Sequence, residues 1–342
     1  MNDPIFSPGV KRTHPPRPDR PALPVARYRL RFRAVDPISL PSYAGSAWRG
    51  VFGRSLRHTV CVTRERDCAR CLLYRSCAYP YLFETPPDPQ GQRMRRYRAA
   101  PHPYVLRPSV QTERSIPPGD PFLVELVLFG RGNTYLPYIV QSLRAAGQRG
   151  IGRGHGRFGL VELHQQAPDS AMWRTIWREG GVLEGGGAAE PGSPPLPEVV
   201  HFELHTPLRL KRGEQLVGPE QFEFQDLFRN LLRRISSLMY FHTGQELDVE
   251  FRALTQAAYK VAIHSRSVRW QEWTRYSSRQ RTTLQMGGLV GSFSVSGEAL
   301  APFWDYLCLG QWTHAGKGAV MGLGRYRIGD PASLPVLAGT PL

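Results

Sequence analysis

The chain has 342 residues, of which 41% are hydrophobic, so it is long enough and apolar enough for two ordinary domains and too apolar for a disordered chain. No stretch approaches about eighteen consecutive apolar residues, which excludes a transmembrane helix and predicts no membrane association. Lysine and arginine number 44 against 28 acidic residues, and this net charge of +16 favours a polyanion partner.

The N-terminal region predicts an arm followed by a first domain over residues 25–178. Residues 1–24 are rich in proline and arginine and lack the apolar core of a signal peptide, which predicts a flexible basic arm on a cytoplasmic protein. From Val25 to Val35 apolar and basic residues alternate, the period of a strand with one buried and one basic face. A helix is expected over residues 42–58, because its apolar residues recur at helical spacing.

Four cysteines follow this helix in a predicted insertion, residues 59–84, of the first domain. They form the pattern C-x6-C-x2-C-x5-C at Cys61, Cys68, Cys71 and Cys77. Four thiols this close in a cytoplasmic chain indicate a metal more than disulfides, and four thiolates complete a tetrahedral zinc site. An iron–sulfur cluster is the alternative. Because four thiolates leave no open ligand position, the metal is expected to be structural.

The order of predicted elements repeats along the chain. Residues 25–178 give strand, helix, strand and helix, and a glycine-rich loop at residues 147–159 leads into a last strand. Residues 179–198, rich in Gly, Pro and Ser, predict a linker. Residues 199–342 follow the same order and end in a second glycine-rich loop and a strand. Each half therefore reads as βαββαβ, and the predicted fold is α+β with two tandem ferredoxin-like (RRM-like) domains, each an antiparallel sheet with helices on one face.

The two glycine-rich loops carry many of the candidate binding residues. Neither matches a Walker or dinucleotide pattern, since each loop follows a helix and precedes a strand. Glycines there let backbones approach closely and turn their N–H groups outward as a nest for anions, whereas a ligand-free turn is the alternative. Two equivalent loops on a basic chain favour binding of an RNA or DNA backbone. The candidates are Arg153, His155 and Arg157 in the first loop and Gly316, Gly318, Gly322, Gly324 and Arg325 in the second.

The tandem halves, the stretch "GKGAVMGLGRYRI" at residues 316–328 and "WTRYSSRQ" at residues 273–280 resemble the RAMP superfamily of CRISPR-associated proteins. Within it the chain is most similar to the endoribonucleases that process CRISPR precursor RNA, in their cysteine-containing branch. The resemblance implies a protein that binds CRISPR repeat RNA and cuts it without a metal. The ribose 2′-OH attacks the adjacent phosphate, leaving a 2′,3′-cyclic phosphate, and the product is guide RNA. Other Cas proteins of an effector complex are implied partners.

That chemistry needs a base, an acid and cations, and histidine suits the first two roles. His314 in the second loop is the first catalytic candidate, with Lys317 as its phosphate partner. His58 at the end of the first helix is the second, and His242 is the third. His102 is set aside because it lies in a proline-rich loop. The resemblance does not fix the assignment, because the family's catalytic residues vary in position, and a tyrosine–lysine arrangement is the fallback.

Other segments add candidate RNA contacts. Between two predicted strands lie Arg275, Tyr276, Ser277 and Arg279, as an RNA clamp or an exposed hairpin. Arg233 lies on the first helix of the second half, where it lines the same groove or faces solvent. Two rival functions remain open. One is a non-catalytic RAMP subunit that binds crRNA in an effector complex. The other is a zinc-containing DNA-binding regulator, which the absence of helix-turn-helix spacing and the order of elements disfavour.

Overall fold

A computed structural model of the chain describes residues 20–86, 100–108, 114–166, 172–277 and 282–329. It divides the chain into two compact units. The first is built mainly of Ala22–Pro191 together with Ser237–Leu247, and the second of Gly192–Ser236 and the described residues from Asp248 onward. Most of the predicted basic arm, residues 1–19, lies outside the described residues. In the described ranges, every helix is too short or too polar to cross a bilayer.

The first unit contains an antiparallel sheet with two long helices. In chain order its elements are β1 (Val25–Ala34), β2 (Ile38–Leu40), α1 (Gly45–Val60), β3 (Tyr104–Pro108), β4 (Arg114–Ile116), β5 (Pro121–Phe129), α2 (Leu136–Arg149), β6 (Phe158–Gln166) and β7 (Trp173–Arg178). The five-stranded sheet has the order β3-β5-β1-β6-β7, and β2 pairs with β4 beside it. Without β7 this is the strand order of a ferredoxin-like βαββαβ unit, which confirms the predicted fold.

Strand β1 shows why the alternating sequence forms a sheet with a buried face. Tyr28, Leu30 and Phe32 are at most 1% exposed, and the Phe32 ring stacks on Trp48 of α1 with 5.2 Å between centroids. Burying each such large side chain contributes about 1.5–3 kcal/mol. The arginines of the opposite face are paired with glutamates of neighbouring strands. The shortest contacts are 2.6 Å from Arg27 to Glu125, 3.0 Å from Arg29 to Glu125 and 3.4 Å from Arg31 to Glu162. Because Glu125 is shared with Arg107 and Glu162 with Arg178, the arginines outnumber the glutamates and this face of the strand stays basic.

The second half of the chain repeats the topology. Its elements are β8 (Val199–Leu208), β9 (Lys211–Arg212), β10 (Gln215–Leu216), α3 (Phe224–Thr243), α4 (Phe251–Tyr259), β11 (Ser265–Gln271), β12 (Thr274–Ser277), β13 (Thr282–Gln285), β14 (Gly288–Ser296), α5 (Gly297–Leu300), α6 (Trp304–Thr313) and β15 (Tyr326–Gly329). The main sheet is antiparallel with the order β11-β14-β8-β15. Taking α3 and α6 as its two helices, this is again the ferredoxin-like arrangement.

The elements that sequence periodicity missed are short, and one of them is largely exposed. Strand β3 was not predicted, because its five residues stand between Pro103 and a terminal Pro108. Residues 258–270 were predicted as one strand, which is wrong at its start. Helix α4 extends to Tyr259 and β11 begins at Ser265. Of the nine residues of α4 only Ala258 is buried, so the apolar residues of this short helix are largely exposed.

The segment predicted as a linker, residues 179–198, contains no helix or strand, but part of it is attached to the first sheet. The peptide N–H of Val25 donates to the Ala189 carbonyl at 2.8 Å, and the N–H of Ala189 donates back at 3.1 Å. The Gln165 side chain also bonds to the backbone of Gly186, at 2.8 Å from the Gly186 nitrogen. These bonds hold the first part of the segment against β1 and β6.

Candidate functional site

The second glycine-rich loop, His314–Arg325, connects α6 to β15 and is folded on its own backbone. His314 is completely buried and has a φ of 58°. Its Nδ1 lies 3.1 Å from the Leu323 carbonyl oxygen, and because a carbonyl only accepts, this nitrogen carries the proton. Gly324, with a φ of 66°, shows why glycine is required: a Cβ there would collide with the Ala315 carbonyl. His314 therefore fastens the loop from inside, and its catalytic role stays a prediction.

The peptide N–H groups of this loop are used inside the protein. The bonds run from Gly316 to the Asn230 side chain, from Lys317 to the Arg209 carbonyl, from Gly324 to the Pro207 carbonyl and from Arg325 to the Thr206 hydroxyl. The prediction that the glycine-rich backbone turns its N–H groups outward for an anion is wrong for these four groups. Gly318 and Gly322 also have positive φ values, 82° and 93°, and flank a 3₁₀ turn. At the four bonded positions an anion would have to be bound by side chains.

Three cations meet beside the loop, and we call Arg209, Lys211 and Lys317 the loop cation cluster. Burial and the neighbouring charges of Lys211 and Arg209 lower the pKa of Lys317. Burial also lowers the pKa of Arg209. Two carboxylates oppose these three cations: Glu214 lies 2.7 Å from the Lys211 ammonium and is 97% exposed, and the charge of Glu272 acts on Arg209. The cluster is thus under-compensated, and a bound phosphate would relieve the repulsion among its members.

A buried arginine adds positive charge at the same loop. Arg234 on α3 donates from Nε to the Thr313 carbonyl at 2.8 Å, directly before the loop. Burial lowers its pKa to about 10, so it is still cationic at neutral pH. Among the described residues its Nη2 has no hydrogen-bond partner. The preceding residue, Arg233, is exposed on α3, as expected for either of its predicted roles.

The first glycine-rich loop lies against β2 and presents two exposed basic side chains. The Arg153 N–H donates to the Ser39 carbonyl at 3.1 Å, while the Arg153 and His155 side chains are exposed. Arg157 forms an ion pair with Asp36, with 2.7 Å between Arg157 Nε and Asp36 Oδ2. Hydrogen bonds from Arg157 lower the pKa of the Asp36 carboxyl. In this loop Arg153 and His155 are therefore more available to a ligand than Arg157.

The other two predicted catalytic histidines differ in accessibility. His58 is exposed in the last turn of α1. His242, in the last turn of α3, is 2% exposed. Its Nε2 lies 2.7 Å from the Pro101 carbonyl and must donate, so its Nδ1 accepts the Tyr81 hydroxyl proton at 2.9 Å. The structure thus gives His242 a structural bond network, whereas only His58 of the three candidates reaches the surface.

The four cysteines share one small cavity at the C-terminal end of α1. The cavity has a volume of about 20 Å³ and is lined by Cys61, Cys68, Cys71 and Cys77. This is close to the space of one water molecule. However, throughout the described ranges no three His, Cys, Asp or Glu side chains are arranged as metal ligands. The structure gathers the thiols without forming a coordination set, and bound zinc stays a prediction.

The predicted hairpin is present as strands β12 and β13. Arg275, Tyr276 and Ser277 lie on β12, whose backbone pairs with Thr282–Leu284 of β13. Arg279 lies outside the described residues.

One constellation was missed by sequence reasoning. His102 Nε2 lies 3.2 Å from Arg49 Nη2, and its Nδ1 lies 3.0 Å from the Thr85 hydroxyl. Because the guanidinium only donates, Nε2 accepts and Nδ1 carries the proton. These residues come from three separate segments, so no local pattern links them.

The two halves of the chain match different family models. Residues 202–326 match the family described as CRISPR-associated endoribonuclease Cas6, and residues 23–187 match a model described as an N-terminal domain. A protein of Archaeoglobus fulgidus described as uncharacterized is 30% identical over 125 residues. That match spans 36% of this chain and 41% of the relative, which is less than half of the relative's length.

Solved structures share the fold over most of the chain. A Cas6 product complex is 16% identical, with 89% of this chain and 98% of that chain covered and a TM-score of 0.51. Thermus thermophilus Cas6 is 14% identical, with 90% and 99% covered and a TM-score of 0.50. A partial Cas6-RT-Cas1–Cas2 complex is 12% identical, with 91% and 47% covered and a TM-score of 0.50. At these identities the likeness shows a common fold.

Proposed function

We propose that the chain is a Cas6-type endoribonuclease that binds CRISPR repeat RNA and cuts the precursor into guide RNA, because residues 202–326 match the Cas6 family model and a solved Cas6 structure shares the fold. The observation that carries the proposal is the loop cation cluster, Arg209, Lys211 and Lys317, at the family's glycine-rich loop. Three crowded cations opposed by two exposed carboxylates, Glu214 and Glu272, favour a polyanion over a neutral ligand.

The role of the loop in this proposal is to fix the cluster against the RNA backbone. The buried His314 and the internal N–H bonds make the loop rigid, and the Lys317 N–H is itself bonded to the Arg209 carbonyl at 2.9 Å. Two of the cations are therefore held together by the backbone before RNA arrives. Such preorganisation lowers the ordering cost of binding. The cluster then recognises the charge and spacing of the phosphates and does not by itself distinguish one RNA sequence from another.

The cleavage step in the proposal is a metal-independent transesterification. A base takes the proton of the ribose 2′-OH, and the 2′ oxygen forms a new bond to the adjacent phosphorus. The bond from phosphorus to the 5′ oxygen breaks, and an acid gives that oxygen a proton. The products are a 2′,3′-cyclic phosphate and a 5′-OH. We assign His58 as the first residue to test as the base, because it is the exposed member of the three predicted histidines.

The test uses a labelled RNA that carries the CRISPR repeat of the encoding genome, incubated with the full chain in excess EDTA. A single cut that leaves a 2′,3′-cyclic phosphate is expected. His58→Ala should lower the single-turnover rate by 100-fold or more, about the share of general base catalysis, with RNA affinity unchanged. His264→Ala, a change at an exposed histidine directly before β11, serves as the matched control. No cut by wild-type protein, or equal rates for the two variants, would contradict the assignment.

A non-catalytic RNA-binding subunit is the second candidate, and one observation favours it. His314 and His242 are both buried and bonded to carbonyl groups, which is the state of structural histidines. Such a subunit would bind the repeat RNA tightly and leave it intact in the same assay. A partner among other Cas proteins belongs to either candidate, and co-purification with the effector subunits of the same locus tests it.

A structural zinc ion at Cys61, Cys68, Cys71 and Cys77 is part of the proposal. The shared cavity of about 20 Å³ supports it, and four thiolates are a donor set that zinc accepts. Elemental analysis of purified protein should give about one zinc per chain. Cys68→Ser should lose the metal, whereas Cys308→Ser, a change at a buried cysteine of α6, should keep it. Zinc-free wild-type protein, or visible absorbance from an iron–sulfur cluster, would contradict zinc.

A further inference from the structure

A second basic surface of the first unit is independent of both glycine-rich loops. An open cleft of about 590 Å³ lies between the turn at Tyr74, the π-helical turn Pro80–Glu84, Arg131 and the last turn of α3. We call it the tyrosine–arginine cleft. Its volume lies within the range of small-molecule sites, and it is open to solvent. The cleft therefore has room for a bound group of about nucleotide size.

The lining of the cleft combines guanidinium groups with aromatic rings. Arg75 and Arg131 are exposed in it, and Tyr240 and Phe241 contribute half-buried rings at the end of α3. Among the described residues that line it, none is acidic. A cation beside a flat apolar face matches a ligand with a phosphate beside a planar base. A purely apolar ligand would bring no negative charge to the guanidinium groups. A peptide would be expected to form hydrogen bonds with main-chain groups.

The base of the cleft is preorganised by buried bonds. The Tyr81 hydroxyl donates to His242 Nδ1, and the Tyr81 ring stacks on Tyr135 with 4.8 Å between centroids. Burial raises the pKa of Tyr81 to about 12, so the hydroxyl keeps its proton at neutral pH. The Arg131 guanidinium carbon lies 4.6 Å from the centre of the Tyr81 ring. Arg131 is thus held over a fixed ring, with little side-chain freedom left to lose on binding.

A strained residue closes one side. Thr85 is 4% exposed and has a φ of 43°, a left-handed conformation that is rare for a β-branched residue. Its hydroxyl donates to the Tyr81 carbonyl at 3.1 Å. Strain of this kind persists where the surrounding structure fixes it, and it concentrates at binding sites. The wall and the base of the cleft are therefore fixed by the same tyrosine.

From these observations we infer that the tyrosine–arginine cleft binds an unpaired nucleotide of the RNA, with the base against Tyr240 and Phe241 and a phosphate on Arg131 and Arg75. The inference rests on the proposed function, because it supplies a single-strand subsite for the same RNA. It adds a preference for unpaired over paired RNA, since a base within a helix cannot enter a cleft without leaving its stack.

The experiment measures binding of the full-length protein to two labelled RNAs by fluorescence anisotropy. One is a single strand of about 12 nucleotides, a typical site size, and the other is a blunt duplex of the same sequence. Arg131→Gln and Tyr240→Ala are each expected to weaken single-strand binding about 10-fold and to leave duplex binding within 2-fold. Arg131→Gln should also reduce the salt slope of single-strand binding by about 0.7.

Two further variants separate the cleft from general charge and from misfolding. Tyr240→Phe keeps the ring and should bind like wild type. Arg54→Gln removes an exposed arginine of α1 outside the cleft and should leave the single-strand affinity within 2-fold. Equal losses for Arg131→Gln and Arg54→Gln, or equal losses on both RNAs, would overturn the cleft assignment.

The result for wild-type protein distinguishes failure of the cleft inference from failure of the proposed function. If wild type binds and cuts repeat RNA but the cleft variants behave like wild type, the cleft inference is wrong and the proposed function stands. If the wild-type protein binds neither of the two labelled RNAs and does not bind the repeat RNA, the proposed function fails. The inference that rests on it is then rejected as well.

Discussion

The second glycine-rich loop makes a sharp prediction about why its glycines are needed. Gly324 and Gly213 have nearly equal positive φ values, 66° and 64°, in the region that disfavours alanine. A Cβ on Gly324 would collide with the Ala315 carbonyl, whereas a Cβ on Gly213 meets nothing within 4 Å. Changing each glycine to alanine therefore applies the same conformational penalty in both cases and adds a backbone clash in only one.

The magnitudes follow from the contacts. The left-handed conformation costs an alanine about 1–2 kcal/mol in both variants. In Gly324→Ala the clash also opens two hydrogen bonds, Ala315 N–H to the Gly324 carbonyl at 3.0 Å and Gly324 N–H to the Pro207 carbonyl at 3.1 Å. Each bond is worth about 1 kcal/mol. The expected losses in the free energy of unfolding are about 3–4 kcal/mol for Gly324→Ala and about 1–2 kcal/mol for Gly213→Ala.

The assay is thermal and urea unfolding of the two variants beside wild type, with RNA affinity measured on the folded protein. Gly324→Ala should lower the melting temperature of the transition that contains the second sheet by about 10 °C, and Gly213→Ala by about a third of that. Equal destabilisation by the two changes would refute the steric argument. A Gly324→Ala protein of normal stability that no longer binds RNA would restore the idea of a backbone anion nest.

Three further predictions concern single groups. Lys317→Gln should weaken RNA binding about 10-fold in anisotropy titrations. Because the pKa of Lys317 is lowered, the RNA affinity of wild-type protein should begin to fall at a lower pH than it would with an ordinary lysine. Asp36→Asn should expose the first loop to proteolysis, and because Arg157 lowers the pKa of Asp36, the wild-type loop should stay protected as pH falls until that lowered pKa is crossed. His242→Leu should cost about 2–4 kcal/mol in urea unfolding, because it leaves the Tyr81 hydroxyl and a carbonyl without their partner, while a loss of cleavage at unchanged stability would instead support a catalytic role.

The fold was predictable where side-chain period and burial agree. The alternation in β1 marks its buried face, and Phe224, Leu227 and Leu231 mark the buried stripe of α3. The side-chain period does not identify β3, because this strand is buried at all five positions and is too short to show alternation. It fails again for α4, which buries almost nothing. Local pattern thus finds an element only when one of its faces differs from the other.

The candidate site was predictable as a set of segments and less so as a set of roles. The glycine pattern correctly located the second loop, but sequence cannot tell that the left-handed turn at His314 carries its ring inward. Arg209 was not predicted, because it approaches the loop from directly after β8, and the sequence could not show that Arg234 of α3 bonds to the residue before the loop. Charge counting also could not show that Glu125 and Glu162 form ion pairs with arginines of β1.

The pairing of β15 with β8 has a consequence for how the second sheet forms. Tyr326 pairs with Leu204 and Ile328 with Phe202, so contacts join residues more than a hundred positions apart in the chain. Pairing of such distant segments is slow, because the closure entropy of the intervening chain opposes it until the other contacts exist. The loop His314–Arg325 precedes β15 directly, and it is therefore expected to reach its final conformation late in folding. On the proposed function, nascent chains would acquire the phosphate-binding surface only after the rest of the sheet has assembled.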